Sequence, residues 1–256
     1  MGDSVRTDLI GKHIAVITLN RPAVRNAVNQ AVAVEVHRFV LSTESDPKIR
    51  VVIITGAGKT FCAGGDLKEI SETRNRNIPR HGGFAGLTEA RRTKPWIAAV
   101  NGSAFGGGVE IMLACEMAVI SETAQLAIPE VRRGLIALGG GAIRLPNRIP
   151  AAIAAEILIT GDPISAQRAY ELGLVNRVVR ADLVMNESQK LAESVASNSP
   201  YSVRETLRLW HAAVGCPSHE IWRENQIARV AMRESHDFEE GPLAFLEKRE
   251  PRWKDY

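Results

Sequence analysis

The sequence predicts an α/β fold whose strands end near residue 180 and whose remaining part is helical. Short apolar runs rich in β-branched residues, such as residues 51–55, each end at a glycine-containing turn, which is typical of buried strands. Segments with helical spacing alternate with these runs, and beyond residue 181 only helical patterns are evident. We therefore divide the chain into a core with the functional site, residues 1–195, and a C-terminal helical region, residues 196–256.

The first elements of the core follow from local patterns. Residues 14–19 form a β-rich run, and residues 26–41 place apolar side chains at helical spacing. Residues 51–55 predict a buried strand by their length and β-branching, and Gly64-Gly65-Asp66 then leads into a short helix. Residues 71–94 are polar and contain glycine and proline, which predicts a mobile loop.

The second part of the core alternates short strands with helices, and only helices are expected after it. The predicted strands are residues 97–100, 117–120, 126–128 and 174–179. The predicted helices are residues 108–116, most of 141–160, and then 182–196, 203–214 and 221–232.

Two segments of the core share one plan. Residues 51–67 and residues 97–111 both run through an apolar strand, a glycine turn, a phenylalanine, a glycine pair and a helix start. Stacked turns of this kind would bring the two glycine segments side by side. Each segment would then donate one backbone amide to a shared oxygen atom.

Two glycines and two glutamates are the candidate reactive groups. Gly65 and Gly107 lie in the glycine segments, where bare backbone amides can approach a ligand closely. Glu110 follows the second glycine segment, and Glu130 follows the short strand predicted at residues 126–128. Two amides aimed at one carbonyl oxygen stabilise an enolate, and two carboxyl groups with separated pKa values divide proton transfer between them. From spacing alone, an ordinary loop and a glutamate that only complements the helix dipole remain open.

Composition excludes several classes of protein. The chain has 256 residues, a formal net charge of +3 and three cysteines without metal-ligand spacing, which predicts a reduced, cytoplasmic protein without metal. No apolar run is long enough for a membrane helix, and few aromatic residues accompany the basic ones, so we expect neither membrane nor nucleic acid as partner. The densest basic groups, residues 91–94 and Arg132-Arg133, predict solvated surface, with contact to an anionic ligand such as a phosphate left open.

Three motifs together resemble the crotonase, or enoyl-CoA hydratase/isomerase, superfamily. They are FCAGGDLKEI at residues 61–70, IAAVNGSAFGGGVEIMLA at residues 97–114 and IPEVRRG at residues 128–134. The resemblance runs nearly end to end. It implies a spiral of ββα turns, a helical C-terminal region that builds a homotrimer or hexamer, and an acyl-CoA thioester substrate. It implies no separate cofactor, because CoA is part of that substrate.

The resemblance also implies roles for individual residues. The amides of Gly65 and Gly107 would form the oxyanion hole, and Glu110 and Glu130 match the two glutamates of the hydratase branch. Residues expected along the CoA path are Ala23, Val24, Arg25, Ala63, Asp66 and Leu67, with Phe245 and Lys248 reaching the CoA of a neighbouring subunit.

The resemblance to this family favours hydration of a trans-2-enoyl-CoA to a 3-hydroxyacyl-CoA as the reaction. Ala137 and Leu138 stand where the hydratase pattern has a Pro-Gly pair, so Leu138 narrows the acyl pocket or makes it more apolar. Carnitinyl-CoA dehydratase activity is the second interpretation, because residues 82–89 and the C-terminal residues 241–254 are similar to that enzyme. Δ3-Δ2 enoyl-CoA isomerase activity is a further alternative, and a non-catalytic binding protein is the least favoured interpretation.

Overall fold

The computed structural model confirms the α/β class. It describes residues 4–69, 82–214, 227, 234–237, 240, 244, 247 and 249–254. The strands are β1 (Val5–Ile10), β2 (Ile14–Leu19), β3 (Val51–Gly56), β4 (Thr60–Cys62), β5 (Trp96–Val100), β6 (Ser103–Phe105), β7 (Met117–Ser121), β8 (Gln125–Ala127), β9 (Ile164–Ser165) and β10 (Arg177–Val179). The helices are α1 (Gln30–Ser45), α2 (Gly107–Ala114), α3 (Gly141–Arg144), α4 (Ala151–Thr160), α5 (Ala166–Glu171), α6 (Val184–Ala196) and α7 (Pro200–Ala213).

The larger sheet has the strand order β1-β2-β3-β5-β7-β10. Strands β1 and β2 pair antiparallel, and every other neighbouring pair in this sheet is parallel. Parallel strands covered on both faces are usually continuous apolar runs, and the four residues from Val51 to Ile54 are fully buried. Their β-branched side chains therefore explain why β3 lies in the middle of the sheet.

The smaller sheet repeats the order of the larger one. Strand β4 follows β3, β6 follows β5 and β8 follows β7, and these short strands pair in parallel as β4-β6-β8, with β9 antiparallel at the edge. Each long strand, short strand and following helical segment is thus one turn of a spiral. This arrangement confirms the prediction that residues 51–67 and 97–111 are stacked, equivalent units.

Helix α1 begins four residues later than predicted. It starts at Gln30, where the Asn29 side chain accepts a hydrogen bond from Val32 N at 3.0 Å and caps the helix. Upstream, Asn26 has a positive φ of 56° and Val28 pairs with Gly65 as an isolated parallel bridge. The helical spacing of Val28 therefore coincides with a tertiary backbone contact that the sequence pattern does not reveal.

Two further predictions need correction. The last strand is only Arg177–Val179, because Leu174 N donates to Ala169 O and Leu174 lies in the turn that follows α5. Residues 82–94, expected within a mobile polar loop, contain a 3-10 helix at Phe84–Gly86 and the fully buried Leu87. The tight glycine turns at this site let the segment pack against α1, where Gly86 O lies 3.1 Å from His37 Nδ1.

The C-terminal part is helical as far as it is described. Helix α6 packs on β2, β3, β5 and β7, and α7 follows it after a short turn. The predicted helix at residues 221–232 lies outside the described residues except for Ile227, and the boundary at residue 195 remains a prediction. In the described ranges, no helix is both long and apolar enough to cross a bilayer.

Candidate active site

The two glycine segments lie next to each other at the ends of β4 and β6. A Cβ atom added to Gly64 would lie 2.8 Å from Phe105 O and 3.2 Å from Gly107 N, so only glycine permits this approach. Gly107 is the first residue of α2, and its amide has no intrahelical partner. Within the described residues, neither the Gly65 nor the Gly107 amide donates a hydrogen bond to the protein. Both N–H groups are therefore available to a ligand oxygen.

Glu110 lies in the first turn of α2 and is only 3% exposed. Its Oε1 accepts a hydrogen bond from Gly141 N at 2.9 Å. Burial raises the pKa of Glu110 to about 7, and the charge of Glu130 adds to that effect. Backbone hydrogen bonds from Gly141 and Gly139 and the charge of Arg144 oppose it. The result is a carboxyl group that changes protonation near neutral pH.

Glu130 lies opposite Gly106 and begins the 3-10 helix Glu130–Arg133. Its Oε1 lies 2.9 Å from the position that a Cβ on Gly106 would occupy, so the carboxyl group rests directly on the second glycine segment. Burial raises the pKa of Glu130, opposed by a hydrogen bond from its own backbone. Its Oε2 is buried and has no hydrogen-bond partner among the described residues, which leaves this oxygen for a bound molecule.

A cavity of about 510 Å³ brings these groups together. Such a volume fits a small-molecule site with an apolar wall and a few converging polar groups. It is lined by Ala63, Gly64, Gly65, Leu67, Phe84, Gly106, Gly107, Glu110, Pro129, Glu130, Arg133, Gly134, Leu135, Ile136, Leu138 and Gly139.

The residues predicted along the CoA path divide into two groups. Ala63, Leu67 and the acyl-pocket residue Leu138 line the cavity. The segment Ala23-Val24-Arg25 does not line it, but it is exposed and adjoins it, since Ala63 N donates to Arg25 O at 3.0 Å. Phe245 and Lys248 lie outside the described residues.

Asp66 has a structural partner and does not line the cavity. Its Oδ2 pairs with Arg21 Nη1 at 2.9 Å, and the same Arg21 atom donates to Ala27 O at 2.6 Å. Burial works against the charged form of Asp66, but the hydrogen bond and charge of Arg21 outweigh it and lower its pKa. The ion pair therefore fixes the turn before α1 onto the first glycine segment.

Sequence reasoning missed Phe84 as a site residue. A Cβ on Gly107 would lie 2.3 Å from Cε1 of the Phe84 ring, so the ring covers the start of α2. The residue lies in a glycine-containing stretch whose polar composition predicts a loop. The available sequence signal is a single phenylalanine flanked by glycines, which is typical of a tight turn.

The basic groups also differ from expectation. Lys94 is 6% exposed and its Nζ donates to Asp46 O at 2.6 Å, and Arg92 pairs with the buried Glu116 at 3.4 Å, so neither is solvated surface. Arg132 is exposed and pairs with Asp162. Arg133 is exposed but lines the cavity. In the described part of the chain, no group of three His, Cys, Asp or Glu side chains is placed to hold a metal ion.

Comparison with known proteins gives the class to which this fold and site belong. A family model described as enoyl-CoA hydratase/isomerase matches residues 10–256, so the chain belongs to that family, the crotonase superfamily. A crystal structure of enoyl-CoA hydratase from Mycobacterium tuberculosis H37Rv is similar over the full length of both chains, with a TM-score of 0.95 and 40% identity.

Curated relatives are similar over nearly the whole chain. The carnitinyl-CoA dehydratase of Proteus mirabilis is 41% identical over 245 residues, which are 93% of this chain and 94% of the relative. The mevalonyl-coenzyme A hydratase sidH of Aspergillus fumigatus is 39% identical over 247 residues, 94% of this chain and 92% of the relative. The chain is thus an enzyme of the hydro-lyase class within the family.

Proposed function

We propose that this chain catalyses the reversible addition of water to a trans-2-enoyl-CoA, giving a 3-hydroxyacyl-CoA. The observation that carries the proposal is one cavity that holds two glycine amides without a hydrogen-bond partner in the described part of the chain and two carboxyl groups with raised pKa values. A hydratase needs these components, because it stabilises an enolate, activates water and supplies a proton to carbon.

The glycine amides account for activation of the thioester. The amides of Gly65 and Gly107 donate to the thioester oxygen, which becomes negatively charged as water attacks C3. Donors fixed before the reaction lower the barrier because they need no reorganisation, and loss of one such donor costs about 2.7–4 kcal/mol in a known hydrolase. The positive end of α2 adds to this stabilisation.

The two glutamates divide the proton transfers. Glu110, with Oε1 fixed by Gly141 N, acts as the carboxylate that holds the water and removes its proton. Glu130, whose Oε2 has no partner in the described residues, gives a proton to C2 and helps to hold the water. One O–H bond of water breaks as its proton passes to Glu110, the water oxygen bonds to C3 as the C2–C3 π bond breaks, and Glu130 transfers its proton to C2. Exchange of protons with solvent then returns Glu110 to its ionised form and Glu130 to its protonated form. The reaction needs no metal or separate cofactor.

Glu110→Gln and Glu130→Gln test this mechanism on crotonyl-CoA. Each substitution keeps the shape of the side chain but removes proton transfer, so we expect kcat to fall about 10²–10⁴-fold. Glu122→Gln, at an exposed carboxyl group away from the cavity, serves as the control and retains full rate. Near-normal turnover by either cavity variant contradicts the two-glutamate mechanism.

Dehydration of carnitinyl-CoA is the second candidate, favoured by the similarity of this chain to several carnitinyl-CoA dehydratases. Against it, Leu138 and its neighbours Leu135 and Ile136 make the cavity wall apolar. A turnover panel that includes crotonobetainyl-CoA separates the two activities. Product analysis separates both from Δ3-Δ2 isomerisation, which shifts the double bond without adding water. Tight binding of CoA esters with no turnover on any ester supports a non-catalytic protein instead.

We further propose that the enzyme is a cytoplasmic homotrimer or hexamer that acts in fatty acid metabolism. The family resemblance supports both the assembly and the acyl-CoA substrate. Light scattering on the purified protein tests the assembly, because a monomeric mass contradicts it. Chain-length dependence over a series of enoyl-CoA esters tests the metabolic assignment.

A further inference from the structure

Arg133 is the one cationic side chain among the described residues that line the cavity. It is exposed, and no hydrogen bond or ion pair joins it to another described residue. Its neighbour Arg132 differs, because that guanidinium donates to Thr160 O at 2.7 Å and pairs with Asp162. One arginine of the pair is therefore committed to the fold, and the other is available to a bound anion.

The place of Arg133 in the wall indicates which part of a substrate it meets. The segment of the cavity wall that contains Arg133 begins at Glu130 and ends at Gly141, whose N–H donates to Glu110 Oε1. It therefore runs from one reactive carboxyl group to the other. Leu135 and Ile136 belong to the same wall and are 42% and 68% exposed.

The charges of the cavity give this arginine a specific use. The ionised carboxylate of Glu110 repels an acyl group that ends in a carboxylate, and Arg133 is the described lining residue that compensates this repulsion. The same guanidinium disfavours an acyl group that carries a quaternary ammonium. Charge at this wall thus discriminates between anionic and cationic acyl groups.

We propose that Arg133 binds a carboxylate at the far end of the acyl chain, so that the preferred substrates are enoyl-CoA half-thioesters of short dicarboxylic acids. The proposal rests on the proposed function and adds a substrate class to it. A phosphate group of CoA is the other source of an anion for this guanidinium. The position of Arg133 in the wall between the two glutamates favours the acyl carboxylate.

Binding of two unreactive esters tests the assignment independently of catalysis. Calorimetry gives the Kd of glutaryl-CoA, which carries a terminal carboxylate, and of butyryl-CoA, which does not. Arg133→Gln should weaken glutaryl-CoA binding about 10- to 100-fold, the range expected for loss of a charged hydrogen bond, and butyryl-CoA binding less than about twofold. Arg133→Lys, which keeps the charge, should restore most of the difference.

Arg180→Gln is the matched control, since it removes one positive charge from an exposed ion pair with Asp182. Thermal unfolding verifies that both variants are folded. Equal weakening of both esters by Arg133→Gln assigns the contact to CoA and overturns the acyl assignment. Unchanged affinity for both overturns any role in anion binding. Failure of the wild type to hydrate both crotonyl-CoA and glutaconyl-CoA refutes the proposed function, while the ratio of the two Kd values still decides the role of Arg133.

Discussion

The two cavity carboxyl groups are held in different ways. Glu110 is nearly inaccessible and is fixed by a backbone amide, whereas Glu130 rests on Gly106 with one oxygen that has no partner in the described residues. Burying a carboxyl group that must ionise costs stability, and a pair of such groups in one cavity repel each other. The arrangement therefore carries a cost in folding free energy that we expect to depend on pH.

Replacing Glu110 by glutamine should make the protein more stable at pH 8. The pKa of a glutamate is ordinarily 4.5 and that of Glu110 in the folded state is about 7, so the folded state binds the proton more tightly. Proton binding by Glu110 therefore stabilises the folded wild type fully below about pH 4.5, and this contribution is lost as pH rises through about 7. The variant should gain as much as about 3 kcal/mol at pH 8 and little at pH 4.

Chemical denaturation of the wild type and Glu110→Gln at the two pH values measures this difference. Glu122→Gln, an exposed glutamate, should show no such pH-dependent gain. An advantage of the Glu110 variant that is the same at pH 4 and pH 8 would mean that ionisation of Glu110 is not its cause.

The turn before α1 shows how one side chain joins separate elements. Asn26 is 1% exposed, accepts from Arg21 N at 3.0 Å, and donates to Ala57 O at 2.9 Å and Thr60 O at 2.7 Å. These bonds attach the start of the α1 segment to the link between β3 and β4. They thereby support the first glycine segment, which follows β4.

Asn26→Ala should lower the free energy of unfolding by about 2–4 kcal/mol, because two partly buried carbonyl groups lose their donor and alanine disfavours a positive φ. Urea denaturation measures the loss. Asn147→Ala, where an exposed side chain makes one bond to Ile143 O, is the control and should cost less than about 1 kcal/mol. Equal losses for the two variants would refute the joining role of Asn26.

Elements whose signal is local could be predicted from the sequence. The apolar strands and the glycine turns depend on neighbouring residues, and the repeated plan of residues 51–67 and 97–111 indicated their stacking. The bridge between Val28 and Gly65 and the packing of Phe84 against Gly107 could not be predicted, because both depend on partners far away in the chain. Likewise, the bond between Glu110 and Gly141 joins residues 31 positions apart. Glycines and glutamates were therefore predictable as candidates, but the wall opposite them was not.

At the scale of the whole molecule, the larger sheet separates two apolar clusters. Val52 and Ile54 of β3 face the cluster that includes α1 and α2, whereas Ile53 faces the cluster that includes α6. Alternate residues of a strand point to opposite faces, which explains this division. The cavity lies on the α2 side, so packing under α6 supports the sheet without lining the site.

Ala192→Leu should separate stability from activity. Ala192 of α6 is fully buried against the sheet, and a larger side chain there should cost about 1–3 kcal/mol through overpacking. Thermal unfolding should show a lower Tm, while kcat for crotonyl-CoA at 25 °C should stay within about twofold. Ser194→Leu, at an exposed position of the same helix, should change neither. A large fall in kcat with unchanged Tm would show that α6 packing reaches the site.

The wall between Glu130 and Gly141 also limits how this enzyme can change its substrate. Each end of the segment is fixed at a reactive glutamate. At one end Glu130 rests on Gly106, and at the other end Gly141 N is bound to Glu110. Adding or deleting a residue would shift a proton-transfer group along with the acyl-facing side chains. New specificity must therefore arise by exchange of side chains at constant segment length, so the number of residues in this wall is itself a constraint on the evolution of the enzyme.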